Sequence, residues 1–155
     1  ADLAAACEER FEQADLLLMA AAVADYRPEH EHAGKLKKAQ AGGELELRLV
    51  RTPDVLATLA TRRRPGQLLV GFAAEHGDGA LEYAREKLER KGLDAVVVND
   101  VSTPGIAFDV PDNEVTVLTH ESEVHVPRAS KAEVATAILD AVLSRRSSSD
   151  MKVPR

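Results

Sequence analysis

Residues 67–99 read QLLVGFAAEHGDGALEYAREKLERKGLDAVVVN, and this stretch decides the fold class. It contains two apolar runs, at 67–74 and 94–99, on either side of an amphipathic segment at 80–90 that ends before Gly92. Strands without a polar face are typical of parallel sheets, because helices cover both faces of such sheets. The stretch therefore predicts two buried strands that run parallel and are joined by a helix.

The residues before this stretch continue the same pattern. Residues 3–13 mix alanine and leucine with charges and predict a short helix, and the apolar run Leu16–Val23 predicts another buried strand. Leucines alternate with other residues at 45–49, which is the period of a half-buried strand. Thr52-Pro53-Asp54 is typical of a helix start, with the threonine as the cap and the proline in the first turn.

The residues after it predict an antiparallel addition. Two alternating segments, 113–119 and 123–126, flank a polar turn and indicate a hairpin, and a helical stripe follows at 131–145. We therefore predict an α/β fold, a Rossmann-like parallel sheet flanked by helices with an antiparallel hairpin extension, over residues 1–146. The serine-rich residues 147–155 predict a tail without fixed structure.

Composition excludes several classes of protein. The net charge is −6 and the chain has three Phe, two Tyr and no Trp, which argues against binding nucleic acid. The single cysteine, Cys7, allows neither an internal disulfide nor a cysteine-based zinc site, and it fits a reducing cytoplasm. No apolar run reaches the roughly 18 residues of a membrane span, and the first residues do not resemble a signal peptide. We expect a cytoplasmic protein that acts on small molecules, without a membrane partner.

Polar residues follow three of the predicted buried strands, at Asp25, at 75–77 and at 99–100. Ligands bind beyond the carboxyl ends of the strands in open α/β sheets, so these residues mark a candidate site. The Thr52-Pro53-Asp54 helix start offers backbone N–H groups to an anion, although a simple helix cap explains the same residues. His30 and His32 flank an acidic residue, and without further ligands they indicate surface histidines rather than a metal site.

The positions of the basic residues indicate the kind of ligand more specifically than the polar strand ends do. Lys35, Lys37 and Lys38 follow the first buried strand, and Lys87 and Lys91 lie four residues apart on one predicted helix face. Together they could neutralise a polyphosphate. The spacing alone also fits a solvated helix face, and that alternative is favoured before any further observation. The chain lacks both Gly-x-Gly-x-x-Gly and a Walker-type loop, so a nicotinamide-binding or P-loop site has no support.

An ordered series of motifs resembles the phosphopantothenoylcysteine synthetase family, from the middle of its domain to its end, over about residues 3–143. The motifs are Ala20-Ala21-Ala22-Val23-Ala24-Asp25-Tyr26, Lys35-Leu36-Lys37-Lys38, Thr52-Pro53-Asp54, Gly71-Phe72-Ala73-Ala74-Glu75, Tyr83-Ala84-Arg85-Glu86-Lys87, Lys91-Gly92-Leu93-Asp94, Asn99-Asp100-Val101 and Asp112-Asn113-Glu114-Val115.

The resemblance implies a ligase of coenzyme A biosynthesis. CTP would activate the carboxylate of phosphopantothenate as an acyl-cytidylate, with release of pyrophosphate, and the amine of cysteine would then displace CMP. Mg²⁺ would share the charge of the triphosphate. By similarity, Lys35 would stabilise the charge that develops in the first step. The nucleotide would be bound by Met19, Ala20, Ala21, Asp25, Lys35, Pro53, Asp54, Val55, Leu56, Phe72, Lys87 and Lys91.

The resemblance also implies a homodimer, with the hairpin at 112–126 as a contributor to its interface. Three motifs that open the family's domain are not in the chain, namely a Gly-Gly-Thr turn, Asp-Pro-Val-Arg and Asn-x-Ser-Ser-Gly. The flavin-dependent decarboxylase portion of the bifunctional enzyme is not matched either, so no flavin is expected in this part. We therefore expect the early strands of the family's domain to be missing here, and a non-catalytic nucleotide-binding or oligomerisation module is the alternative to an active ligase.

Overall fold

The computed structural model describes residues 2–30, 34, 44–75, 77, 79–100 and 111–150. These residues form four helices and seven strands. In chain order the elements are α1 (Asp2–Phe11), β1 (Leu16–Met19), β2 (Tyr26–Pro28), β3 (Leu49–Arg51), α2 (Val55–Arg62), β4 (Leu68–Glu75), α3 (Ala80–Lys91), β5 (Ala95–Asp100), β6 (Asp112–Thr119), β7 (Glu123–Ser130) and α4 (Lys131–Asp150).

Five of the strands form one sheet in the order β1-β4-β5-β6-β7, and β2 and β3 form a separate two-stranded ribbon. The pairs β1–β4 and β4–β5 are parallel, whereas β5–β6 and β6–β7 are antiparallel. The predicted α/β fold with a parallel sheet and an antiparallel hairpin is confirmed.

Helices cover both faces of this sheet, which explains why its central strands lack a polar face. Leu69 and Ala73 of β4 pack with α1, α2 and α3 on one face. Val70 of β4 and Val97 of β5 pack with α4 on the other. Each of these four side chains is at most 4% exposed, so neither face could accept a polar residue without a desolvation cost.

Two glycines allow α3 to pack closely against the sheet. Gly92 ends α3 in the left-handed region (φ 61°), where its N–H and that of Leu93 bond the carbonyls of Glu89 and Leu88. Gly71 lies in β4 beneath α3, and a Cβ there would be 2.9 Å from Leu93 Cδ1 and 3.8 Å from Lys87 Cε. The missing side chain thus gives room to the helix and to the aliphatic part of Lys87.

Four predicted element boundaries were wrong, and one of them is the end of β7, which runs to Ser130 rather than to residue 126. Strand β1 ends at Met19 rather than at residue 23, because the chain turns with a bond from Ala20 N to Leu18 O. Strand β3 covers Leu49–Arg51 rather than 45–49, and the alternating leucines 45, 47 and 49 are 54–58% exposed instead of half-buried. Helix α4 continues to Asp150, through residues assigned to the tail, because no glycine or proline interrupts 131–150. Residues 151–155 lie outside the described part.

Gly71→Ala should destabilise the protein by about 1–3 kcal/mol, because the buried Leu93 must move to admit the methyl group. Urea unfolding would measure the difference. Gly79→Ala is the matched control, since a Cβ at Gly79 meets no atom within 4 Å and its φ is −90°. Equal stability of the two variants would contradict this account of α3 packing.

Candidate functional site

A cavity of about 460 Å³ lies at the carboxyl ends of β1 and β4. The loop after β1, the start of α2 and one side of α3 form its walls. Its lining residues are Met19, Ala21, Ala22, Val23, Asp25, Tyr26, Arg51, Thr52, Pro53, Asp54, Val55, Leu56, Phe72, Tyr83, Lys87, Arg90 and Lys91. This is the edge at which open α/β sheets bind their ligands.

Thr52 joins two of these walls. Its hydroxyl donates to the carbonyl of Ala24, and its backbone N–H donates to the carbonyl of Asp25 at 2.9 Å. The loop after β1 is therefore fixed to the segment that leads into α2. The prediction that Thr52 caps α2 was wrong, because its hydroxyl is used in this long-range bond.

Asp54 is the residue that caps α2. Its Oδ1 accepts from the N–H of Ala57 at 3.2 Å, and the helix begins at Val55. One of the free N–H groups expected at this helix start is thus already occupied by a carboxylate from the chain itself. An anion at this end of α2 must be bound mainly by neighbouring side chains.

Two lysines of α3 are turned toward the cavity. Lys87 Nζ donates to the carbonyl of Phe72 at 2.7 Å, and Lys91 Nζ lies 2.8 Å from Asp54 Oδ2. The side chain of Lys91 is only 19% exposed. A solvated helix face therefore does not describe these two residues, whereas Arg85 of the same helix does pair at the surface, with Glu123 at 2.6 Å.

The charge of the lining favours an anionic ligand. Four basic side chains, Arg51, Lys87, Arg90 and Lys91, stand against two acidic ones, Asp25 and Asp54. This excess of positive charge occurs in a chain whose net charge is −6. A local concentration of cations in an acidic protein is typical of a site that binds a small phosphorylated molecule.

Ten of the twelve residues predicted to bind the nucleotide line this one cavity, namely Met19, Ala21, Asp25, Pro53, Asp54, Val55, Leu56, Phe72, Lys87 and Lys91. Ala20 does not line it, and Lys35 lies outside the described residues, as do Lys37 and Lys38. The predicted set of nucleotide-binding residues left out seven lining residues, of which all but Arg51 and Arg90 belong to the motifs quoted above: Ala22, Val23, Tyr26, Arg51, Thr52, Tyr83 and Arg90. Helical spacing could have found two of them, because Tyr83 and Arg90 lie four residues before and three after Lys87.

Other candidate residues give no second site. His30 is a surface residue 3.7 Å from Glu29, and Cys7 is half-buried against the core. His32 and His76 lie outside the described part of the chain. Across the ranges that the structure describes, no three His, Cys, Asp or Glu side chains are grouped as metal ligands. The helices within those ranges are also too short or too polar to cross a membrane.

The pKa of Asp54 reflects its two contacts. Burial raises the pKa of this carboxyl, but hydrogen bonds from Lys91 and Ala57 and the charges of Lys91 and Arg90 outweigh burial. Its pKa is therefore held below the ordinary value, and the carboxylate is ionised at neutral pH.

Known proteins are similar to this chain in sequence and in fold. Residues 1–145 match the family described as the DNA/pantothenate metabolism flavoprotein C-terminal domain. The coenzyme A biosynthesis bifunctional protein CoaBC of Mycolicibacterium smegmatis is 44% identical in an alignment of 146 residues, and the match covers 88% of this chain and 35% of that protein. The chain thus spans about a third of the length of the curated relatives that it matches.

Solved structures give the same result. The crystal structure of the C-terminal domain of a CoaBC protein superposes with a TM-score of 0.69 at 32% identity, covering 91% of this chain and 59% of that one. A Cab2 mutant in complex with phosphopantothenate-cysteine shares the fold, with a TM-score of 0.60 at 20% identity, over 83% of this chain and 43% of that one.

Asp54→Asn should reduce stability at neutral pH by at most ~1 kcal/mol, because the pair with Lys91 is partly exposed. A carboxylate with a lowered pKa stabilises the fold above its unfolded pKa of about 3.9, and this contribution disappears as the pH falls through the folded pKa. The difference between parent and variant should therefore be constant above about pH 5 and vanish in stronger acid.

Urea unfolding at stepped pH would measure this difference. Asp140→Asn, which alters an exposed carboxylate on α4, is the control and should show no such change. A difference for Asp54→Asn that stays constant into acid would contradict the role of its ionised form.

Proposed function

Because the chain belongs to the DNA/pantothenate metabolism flavoprotein C-terminal domain family, we propose that it carries the nucleotide site of a phosphopantothenate–cysteine ligase. The observation that supports this most is the single cavity that collects ten of the twelve residues expected to bind the nucleotide. Membership of the family and the CoaBC relatives support coenzyme A biosynthesis as the setting.

The proposed reaction has two steps. The carboxylate of phosphopantothenate attacks the α-phosphorus of CTP, so that a P–O bond to the carboxylate forms, the bond to the β-phosphate breaks and pyrophosphate leaves. The amine of cysteine then attacks the acyl carbon, the C–O bond breaks, CMP leaves with the bonding electrons and the amine loses a proton to solvent. Both steps are accelerated mainly by neutralising the phosphate charge and by holding the reactants in line. Fixed cations contribute to both effects.

The lining residues have distinct roles in this proposal. Lys87 and Lys91 neutralise the phosphates from the side of α3, with Arg90 beside them. Met19, Ala21 and the start of α2 form the walls against the nucleoside. Lys35 lies outside the described residues, and we assign it, from the resemblance alone, to stabilising the charge that develops during acyl-cytidylate formation.

The site also suits Mg²⁺ bound to the triphosphate. Mg²⁺ is often held by one or two carboxylates together with substrate phosphates. Asp25 is the carboxylate that would bind it, because within the described residues Asp25 makes no ion pair, whereas both oxygens of Asp54 are engaged. The bound ion would reduce the charge on the leaving pyrophosphate.

A non-catalytic nucleotide-binding or oligomerisation module is the second candidate. The chain covers 59% of the solved CoaBC C-terminal domain, so residues outside this chain take part in that domain. Binding of CTP without turnover would favour this candidate. Turnover after the rest of the domain is added would favour the ligase.

We also propose that the protein is a homodimer. The β2–β3 ribbon and the residues before β3 carry exposed apolar side chains, namely Tyr26, Leu45, Leu47 and Leu49, each more than half exposed. Apolar side chains that cluster at the surface are typical of interfaces between proteins. The hairpin β6–β7 exposes Val124 and was the interface expected from the sequence.

Isothermal titration should show selective binding of CTP with Mg²⁺ over ATP and NAD. Lys87→Ala should weaken CTP binding about tenfold, because it removes a charge-assisted phosphate contact. Arg85→Ala is the control on the same helix, since Arg85 pairs with Glu123 at the surface, and it should bind as the parent does. Equal affinity of all three proteins would contradict the phosphate site.

Sedimentation equilibrium should show a dimer that Leu47→Glu converts to monomers, because a buried charge at the interface has no partner. Val124→Glu tests the hairpin in the same way. A dimer that survives the first change and is lost with the second would assign the interface to the hairpin, and a monomeric parent would refute the dimer.

A further inference from the structure

Asp54 uses both of its carboxylate oxygens within the protein. Oδ1 accepts from the N–H of Ala57 in the first turn of α2, and Oδ2 lies 2.8 Å from the ammonium of Lys91. Lys91 is the last residue of α3. One carboxylate therefore joins the start of one helix to the end of another at the wall of the cavity.

A carboxylate in a site for phosphates needs a cation beside it, either a bound metal ion or a basic side chain. A free carboxylate would repel a polyphosphate, and the first turn of a helix is a place that a phosphate itself could occupy. The shorter of its two contacts is the ion pair with Lys91, so the carboxylate can act through the group that it holds.

That group is the Lys91 ammonium. An ammonium has three N–H donors and Asp54 engages one of them, so two remain for a ligand. The Lys91 side chain is 19% exposed and its ammonium is paired, so packing and the ion pair restrict its rotamers before any ligand arrives. Part of the conformational entropy of this side chain is then already lost in the unliganded protein, so ligand binding costs less of it.

We propose that Asp54 is a positioning residue, which holds the Lys91 ammonium at the cavity wall for the phosphates of the nucleotide and does not itself contact the nucleotide or its metal ion. The proposal deepens the proposed function and rests on it for the identity of the ligand. Lys87 provides the internal comparison, because it lies one turn earlier on α3 and its ammonium donates to the Phe72 carbonyl.

Asp54→Asn is the informative variant. Asparagine caps helices as well as aspartate does, so the start of α2 is kept. An amide has only one acceptor oxygen, however, and it cannot serve both Ala57 N–H and Lys91. Lys91 should therefore be released while the fold is retained, which a melting curve by circular dichroism would verify.

The first experiment needs no nucleotide. Brief acetylation with acetic anhydride followed by peptide mass spectrometry compares each lysine in the parent and in Asp54→Asn. Lys91 should be acetylated several-fold faster in the variant, because an ammonium held in an ion pair reacts slowly, and Lys87 should be unchanged. An unchanged rate at Lys91 would overturn the proposal.

The second experiment is a double-mutant cycle on CTP affinity with Asp54→Asn, Lys91→Met and both changes. Asp54→Asn should weaken binding about fivefold when Lys91 is present and have no further effect on Lys91→Met. A loss in both backgrounds, or a loss that depends on Mg²⁺ concentration, would show direct contact and overturn the proposal. So would tighter binding by Asp54→Asn.

The two experiments separate this proposal from the function on which it rests. A folded parent that binds no CTP would contradict the nucleotide site, and the acetylation rates would still decide whether Asp54 holds Lys91. Normal CTP binding with an additive cycle would leave the nucleotide site standing and refute the positioning role.

Discussion

The burial of β4 on both faces is the constraint on which the rest of the structure depends. Leu69 and Val70 are fully buried on opposite sides, so helices must cover the strand on each. At Gly71 the absence of a side chain lets Leu93 and the stem of Lys87 approach the strand. The ammonium of Lys87 can then reach the carbonyl of Phe72, the next residue along β4. The packing that buries β4 therefore also places the ammonium of Lys87 at the cavity.

Helix α3 connects the core with the cavity in the same way. Ala84 and Leu88 bury one stripe of the helix, and Lys87 and Lys91 lie one turn apart along the side that borders it. Because the stripe is fixed against β4 and β5, the two lysine positions are fixed on the side of α3 that borders the cavity. The Gly92 cap ends the helix directly after Lys91, which sets that lysine against the first turn of α2.

The sequence predicted an element correctly wherever a single hydrophobic periodicity determined its structure. Buried strands β4 and β5 and the helix between them follow from apolar runs and a helical stripe, and the motifs placed ten residues on one cavity. The sequence did not predict the structure correctly where two local conformations were possible and a contact distant in sequence determined which one forms. Thr52 and Asp54 can both cap a helix, and the bond from Thr52 to Ala24 decides between them. Arg51 was missed because nothing local distinguishes it from other surface arginines.

The order of the parallel strands relates the cavity to the helices that cover the sheet. Helices α1, α2 and α3 pack on one face, and the order β1-β4-β5 advances in one direction. Right-handed crossovers from β1 through α2 to β4, and from β4 through α3 to β5, place both helices on the same face. The cavity at the carboxyl end of β1 is therefore bordered by both helices. This topology brings Asp54 at the start of α2 together with Lys87 and Lys91 of α3, although these residues are far apart in the sequence.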